Sequence, residues 1–388
     1  MSGIELKSTP HGSAIAEAFR QQGALTPGAI AVAAGDRQLS YREIDERSNR
    51  LARHLQSLGV KPETLVGVLQ GRSETLVVSL LAILKAGGTY VPLGPGYPIQ
   101  RLSLAIEGSE MPILLTSFAL QTRLPLDLGR LSLFDPEDSV LDRHSPHAVA
   151  SAAAGHNLAY VMYTSGSTGK PNGVMVEHRN VVSCFAGMDQ AIGSRPGVWL
   201  AVTSIAFDIS VLELLWTLTP GFKVVVHSDE GTGTIADEIA RHSVTHLQMT
   251  PSLARMLMLD GRSCSALGTL KPILLGGETV PASLIHRLRQ FFSGELFNMY
   301  GPTETTIWSS TYRILDPCIT VPTGRPIAGT QIHLLDTELK PVPEGETGEL
   351  FIAGDGVARG YWNRRDLTAE RFRSSHLCQK IAFTAPAI

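Results

Sequence analysis

The chain has 388 residues, 43% of them hydrophobic and 18% charged, with a net charge of −3 from 33 basic and 36 acidic side chains. That length exceeds one ordinary core and predicts two or more subdomains, while the near balance of charge gives no electrostatic reason to expect nucleic acid or an anionic membrane as partner. The four cysteines, Cys184, Cys264, Cys318 and Cys378, lie far apart, show no metal-binding spacing and argue against a disulfide framework, and no signal segment or membrane-length apolar run appears, so a cytoplasmic enzyme is the default expectation.

Residues 1–20 are polar and small and read as a linker or upstream remnant. Ser40 and Glu43 form a capping box at a helix start; Ile44, Leu51 and Leu55 follow at helical spacing, and Gly59 closes the helix. Apolar strands then alternate with helical stretches: Leu65 to Leu69, Thr75 to Ala86, Tyr90 to Pro92 and Ile113 to Thr116. Such alternation predicts an α/β architecture of parallel sheets with helices packed on them. Beyond about residue 322 short β-rich runs, Gln331 to Leu335 and Gly348 to Ala353, suggest a small β subdomain.

The stretch from Leu158 to Tyr163 is continuously apolar and reads as a buried strand. It feeds a loop holding Thr164, Ser165, Gly166, Ser167, Thr168, Gly169 and Lys170. Glycine lets the backbone approach a ligand, freed N–H groups and hydroxyls donate to phosphate oxygens, and lysine adds charge. A strand running into a Gly-rich turn is a common nucleotide site in α/β proteins; the competing reading is an ordinary surface loop. A P-loop NTPase is excluded, because only Ser167 and Thr168 separate Gly166 from Gly169 and Pro171 follows Lys170.

The loop resembles instead the phosphate loop of the AMP-forming adenylating enzymes: acyl-CoA synthetases, luciferases and the adenylation domains of nonribosomal peptide synthetases. Asn172 stands where those enzymes usually carry a second lysine. Four more segments resemble core motifs of the peptide-synthetase members in the same order. They are Leu84 to Leu93 (with Gly94 in place of an aspartate), Phe207 to Ser210, Asn298 to Glu304, and Gly348 to Leu350 continuing through Gly356 to Tyr361. The resemblance covers roughly residues 20–372. It implies the large N-terminal subdomain of that fold, with two α/β parallel-sheet lobes and a small, incomplete β-barrel lobe.

The resemblance also assigns roles. Tyr300, beside Gly301, would stack on adenine opposite Gly276, Gly277, Glu278 and Thr279; base–aromatic stacking is worth about 1–3 kcal/mol. Asn298 belongs to the same nucleotide-binding segment. Thr303 would bond phosphate, and Glu304, a hard oxygen ligand, would hold Mg²⁺ bridging the phosphates of ATP. Lys170, Thr303 and Glu304 are thus the catalytic candidates. The plainer alternatives are a core tyrosine, a helix-capping threonine and a solvated glutamate.

Asp208 lies between Phe207 and Ile209, where a charge is costly unless paired. In amino-acid-activating members that aspartate receives the substrate ammonium; its plainer reading is an exposed turn residue. The other wall positions fall on Ile209, Leu212, Gln248, Leu274, Gly276, Met299, Ile307 and Trp308. With Asp208 they resemble the pattern of glycine-activating domains. The bulk of Trp308, Met299, Leu274 and Leu212 leaves little volume for a side chain, and overpacking one methyl typically costs about 1–3 kcal/mol.

The implied reaction joins the amino-acid carboxylate to the α-phosphorus of ATP, releasing pyrophosphate. The product then passes to a thiol on the phosphopantetheine of a separate carrier domain. The family continues after Phe372 into a ribose-binding segment and a C-terminal subdomain bearing a catalytic lysine. Residues 373–388 do not match that pattern, and Lys380 is not in a recognisable context for that lysine. The sequence thus reads as truncated before the C-terminal subdomain, weak or inactive alone, and a match for a separate C-terminal half. Other readings are a carboxylic acid–CoA ligase, against which Asp208 counts, a non-catalytic fragment, and an unproductive pseudogene product.

Overall fold

Two helices carry the junction between the main lobes. Ser40 caps the helix Tyr41–Ser57, its hydroxyl accepting from Glu43 N–H while Glu43 returns the bond to Ser40 N–H; Ile44, Leu51 and Leu55 on one face are fully buried. The helix Glu74–Ala86 is buried around nearly its whole circumference, as expected for an apolar helix sandwiched between layers. It ends at Gly87, whose φ of 90° is the left-handed C-terminal turn that favours glycine. The only buried lysine among the described residues, Lys85, is fully engaged: its ammonium donates to Asp45, Ser48 and Asn49 at 2.7–2.9 Å.

The computed structural model describes residues 14–124, 131–165, 171–228, 233–315, 319–373 and 381–383. Within them the strands form three sheets, of nine, seven and four strands. The seven-stranded sheet has Leu65–Leu69, Thr89–Leu93, Ile113–Thr116 and Leu158–Thr164 parallel at its centre. In the nine-stranded sheet, Ile30–Ala34, Lys223–Val226, Val198–Ala201, His246–Met249, Pro272–Gly276 and Glu295–Tyr300 run parallel. The four-stranded sheet joins Thr330–Leu335, Glu349–Gly354, Ile381–Phe383 and Phe372–Arg373, all antiparallel.

The expected α/β class holds, with two differences from the reading of the sequence. Both large sheets are mixed rather than purely parallel: Arg37–Ser40 and Ser310–Arg313 pair antiparallel in the larger, and Asn172–Glu177 does so in the smaller. The second strand of each such pair returns through a short connection, which cannot accommodate a crossover and so enforces antiparallel pairing. The expected linker through residue 20 ends earlier. Ile15–Leu25 is a helix whose Ile15 and Phe19 are buried, one turn apart, with Phe19 stacked on Tyr41 at 5.8 Å.

One apolar cluster fills the space between the two large sheets, joining Tyr90 and Tyr160 of the smaller to Leu274 and Met299 of the larger. A second, containing Leu247, Met249, Ile273 and Leu275, lies on the opposite face of the larger sheet. The period-two alternation of strand side chains produces this division.

Candidate active site

The inner face of the larger sheet gathers most of the residues singled out in the sequence. Gln248 pairs with Leu274, Gly276 with Met299, and Met299 with Thr311 across neighbouring strands. Gln248, Leu274, Gly276 and Met299 therefore share a face. Ile209, Leu212, Ile307 and Trp308 belong with Leu274 and Met299 to the one buried cluster. The Trp308 indole N–H donates to Gln248 Oε1 at 3.3 Å, so the wall's two polar side chains satisfy each other. Phe207 does not join them: its ring is 57% exposed.

Glycine at 276 is required by the closeness of this packing. A Cβ there would lie 2.4 Å from the Trp308 ring and 2.8 Å from the Met299 carbonyl. Gly301 is equally confined, with the backbone of Ile307, Trp308 and Ser309 within 2.6–2.8 Å of an added Cβ. Gly94, expected to be an aspartate by resemblance, sits against Ala206, whose Cβ would be 3.3 Å away from a Cβ at 94.

Asp208 is buried at the edge of this wall, and its Oδ2 has no hydrogen-bond partner among the described residues. Burial pushes its pKa up to about 6; the Glu304 charge pushes the same way, and the Thr303 hydroxyl and the amides of Ile307 and Ile209 oppose it. An orphaned buried carboxylate oxygen is costly unless a cation arrives. Two more orphans lie near, the Tyr90 and Tyr160 hydroxyls, both fully buried. Their rings are 5.4 Å apart, and the Asp208 charge adds to burial in raising both pKa values. These tyrosines carry no distinguishing signal in the sequence, since a buried strand reads the same whether its tyrosines are filler or polar lining.

Asp208 is held from behind. Val211 N–H closes a turn on its carbonyl at 2.9 Å, and Thr217 N–H reaches five residues back to Leu212 at 3.3 Å, a widened turn of the kind that recurs at functional sites. Inside that turn the buried Glu213 accepts from Val202 N–H, Thr203 N–H and the Thr203 hydroxyl at 2.9–3.0 Å, fixing the exit of the Val198–Ala201 strand. Burial pushes Glu213 up to about 8 despite those bonds.

The turn at residues 303–305 carries Thr303 and Glu304, both half-buried. Thr306 and Ile307 follow at φ of 62° and 66°. This left-handed region is strained for β-branched residues and is held only where packing over-determines it. Both are fully buried. Glu304 Oε1 accepts from the Tyr361 hydroxyl at 2.7 Å. Nothing in the sequence alone marks Tyr361 as the partner of Glu304, although it closes a segment that resembles a family motif.

The remaining nucleotide candidates divide. Tyr300 is half-buried, at the end of its strand. Gly277, Glu278 and Thr279 form an exposed turn in which Glu278 accepts from Ser252 N–H and hydroxyl at 3.1 and 2.6 Å. Asn298, between Phe297 and Met299, donates to the Pro322 carbonyl at 2.7 Å and ties the strand to the segment before the β lobe. Thr164 and Ser165 lead out of the Leu158–Thr164 strand. Gly166, Ser167, Thr168, Gly169 and Lys170 lie outside the described residues. Asn172 accepts from Arg364 at 3.4 Å. Among the described residues no three acidic, histidine or cysteine side chains form a metal cluster, and no helix is long and apolar enough to cross a membrane.

Residues 19–362 match the family model described as AMP-binding enzyme. The chain belongs to the AMP-binding enzymes. It is of the type found as adenylation domains of nonribosomal peptide synthetases, and its fold is that of the N-terminal subdomain of these adenylating ligases. It is 38% identical over 363 residues to the dimodular nonribosomal peptide synthase of Bacillus subtilis, covering 91% of this chain and 15% of that protein. It is 37% identical to tyrocidine synthase 3 of Brevibacillus parabrevis, covering 93% of this chain and 6% of the relative. The chain thus spans a small part of the curated relatives it matches. Among solved structures, the peptide synthetase FmoA3 superposes with a TM-score of 0.90 at 28% identity, over 98% of this chain and 41% of that one. The Klebsiella oxytoca NpsA N-terminal subdomain, in complex with 3-hydroxybenzoyl-AMSN, superposes at 0.86 and 25% identity, over 98% and 96%.

Proposed function

We propose that this chain activates glycine, or another small neutral amino acid, as its aminoacyl adenylate for nonribosomal peptide synthesis. The observation that carries the reading is the Asp208 carboxylate, buried with one oxygen unpartnered. A substrate ammonium would satisfy it and draw its pKa back down. The bulk of the buried Trp308, Met299, Leu274 and Leu212 at the wall positions supports a small substrate side chain.

The chemistry asks the protein mainly to position reactants, because a carboxylate is already a competent nucleophile. Asp208 would anchor the ammonium and aim the carboxylate at the α-phosphorus of ATP; the bond to that phosphorus forms as the bond to pyrophosphate breaks. Tyr300 would stack on adenine, with Gly276, Gly277, Glu278 and Thr279 opposite and Asn298 supporting the strand. Thr303 would contact phosphate, and residues 164–170, Lys170 included, would wrap the triphosphate. The product's destination would be the phosphopantetheine thiol of a separate carrier domain.

Glu304 fits a single protein ligand for Mg²⁺. It is a half-buried carboxylate, no cluster of three acidic, histidine or cysteine side chains occurs among the described residues, and Mg²⁺ at nucleotide sites draws most ligands from phosphates and water. When bound, the ion would neutralise charge on the phosphates.

The test is amino-acid-dependent exchange of labelled pyrophosphate into ATP with each of twenty amino acids, for the chain alone and with a C-terminal subdomain supplied. The expected result is glycine above the rest, strengthened by the added subdomain. Equal exchange with all amino acids, or stronger exchange with the hydroxy-acid counterpart of glycine run beside them, would sink the reading.

A further inference from the structure

We propose that Tyr361 is the positioning residue for Glu304, holding its carboxylate in the orientation in which it meets the cation of a bound metal–nucleotide complex. The proposal rests on the metal role given to Glu304 above. The two residues are 57 apart in sequence, yet the Tyr361 hydroxyl donates to Glu304 Oε1 at 2.7 Å. Two further bonds grip the same turn: Ala358 N–H donates to the Glu304 carbonyl at 2.9 Å, and the Thr306 hydroxyl to the Gly356 carbonyl at 2.7 Å. The segment 356–361 therefore lies across the Glu304 turn and holds it by backbone and side chain together.

That segment is itself anchored. Gly360 and Tyr361 pair antiparallel with Met175 and Val174 of the seven-stranded sheet. The Arg359 guanidinium is bound to Glu63 and Glu177 at 2.7–3.1 Å. Tyr361 N–H donates to the Thr368 hydroxyl at 2.9 Å, and its ring packs edge-on against Phe372 at 5.4 Å. A tyrosine so held has no rotamer freedom left, whereas a half-buried glutamate by itself has several. The bond occupies Oε1 and leaves Oε2 for a cation. Fixing a ligand through its other oxygen is how outer groups orient metal ligands.

The test uses the chain as it stands and measures by calorimetry its affinity for a non-hydrolysable ATP analogue, with and without Mn²⁺. The readout is the ratio of the two affinities, which does not depend on turnover. Tyr361→Phe should lower that ratio about 10-fold. Glu304→Gln should lower it at least as far, and the double variant no further than Glu304→Gln alone. Phe372→Leu loosens the ring but keeps the hydroxyl, and should lower the ratio less than Tyr361→Phe does. An unchanged ratio in Tyr361→Phe beside a lowered one in Glu304→Gln overturns the inference, as do additive losses or an equal loss in Phe372→Leu. If Glu304→Gln leaves the ratio of the unmodified chain intact, the metal reading of Glu304 falls first, and the inference with it.

Discussion

The two faces of the nine-stranded sheet are made by the same strands and do different work. On the outer face Leu247, Met249, Ile273, Leu275 and Leu296 are buried and wholly aliphatic. On the inner face the alternate residues include Gln248 and a glycine, and the facing elements add Asp208, Tyr90 and Tyr160 with unpartnered polar atoms. One face uses burial for stability. The other carries polar groups that cost stability while unpaired, the trade expected where binding energy must come from pre-placed groups.

The sharpest break in that contrast is at Asp208. Asp208→Ala should weaken binding of a glycyl adenylate analogue by about 3–5 kcal/mol, the cost of removing one partner of a buried ion pair, read by calorimetry. Asp208→Asn should weaken binding too, yet stabilise the empty chain by about 1–3 kcal/mol at neutral to alkaline pH. The sign follows from a folded pKa of about 6, raised above the ordinary 3.8. The protonated carboxyl's stabilisation is full below the ordinary value and is lost as pH rises through the folded one. Urea melts should therefore show the Asn variant's advantage above that range and none below it; a constant advantage would remove Asp208's charge as the cause.

On the outer face Leu275→Ala should cost about 2–5 kcal/mol of stability, with analogue affinity per folded molecule unchanged. A loss of affinity without a loss of stability would erase the distinction between the faces. Gly276→Ala should do the reverse, costing about 1–3 kcal/mol through overpacking against Trp308 and losing glycyl-analogue affinity as well. Unchanged affinity there would mean that the Gly276 wall does not border the substrate. Ser40→Ala, distant from both faces, should cost about 1 kcal/mol through its cap and leave binding untouched, as paired melts and titrations would record.

Legibility in the sequence followed the range of the interaction. The Ser40 and Glu43 cap, the buried run from Leu158 to Tyr163 and the helical stretch from Thr75 to Ala86 are local, and each appears within a residue of its reading. Gln248, Leu274, Gly276 and Met299 are picked out through resemblance; register then brings them together, because strands of period two in parallel alignment leave no other face for them. The mixed edges of both sheets were not visible, since pairing direction depends on where the chain returns. The early helix from Ile15 was hidden in a small-residue stretch whose only anchors are Ile15 and Phe19. The bond from Tyr361 to Glu304, and the orphaned hydroxyls of Tyr90 and Tyr160, depend on contacts between distant segments that no local pattern encodes.

The central claim is the proposal that Asp208 receives the ammonium of a small amino-acid substrate. The most direct measurement compares two non-hydrolysable adenylate analogues on this chain, glycyl-sulfamoyl adenosine and its hydroxyacetyl counterpart, which match in size and differ in the ammonium. The glycyl compound should bind tighter by about 100-fold or more, with the gap closing in Asp208→Asn. Equal affinity of the unmodified chain for the two compounds would contradict the account.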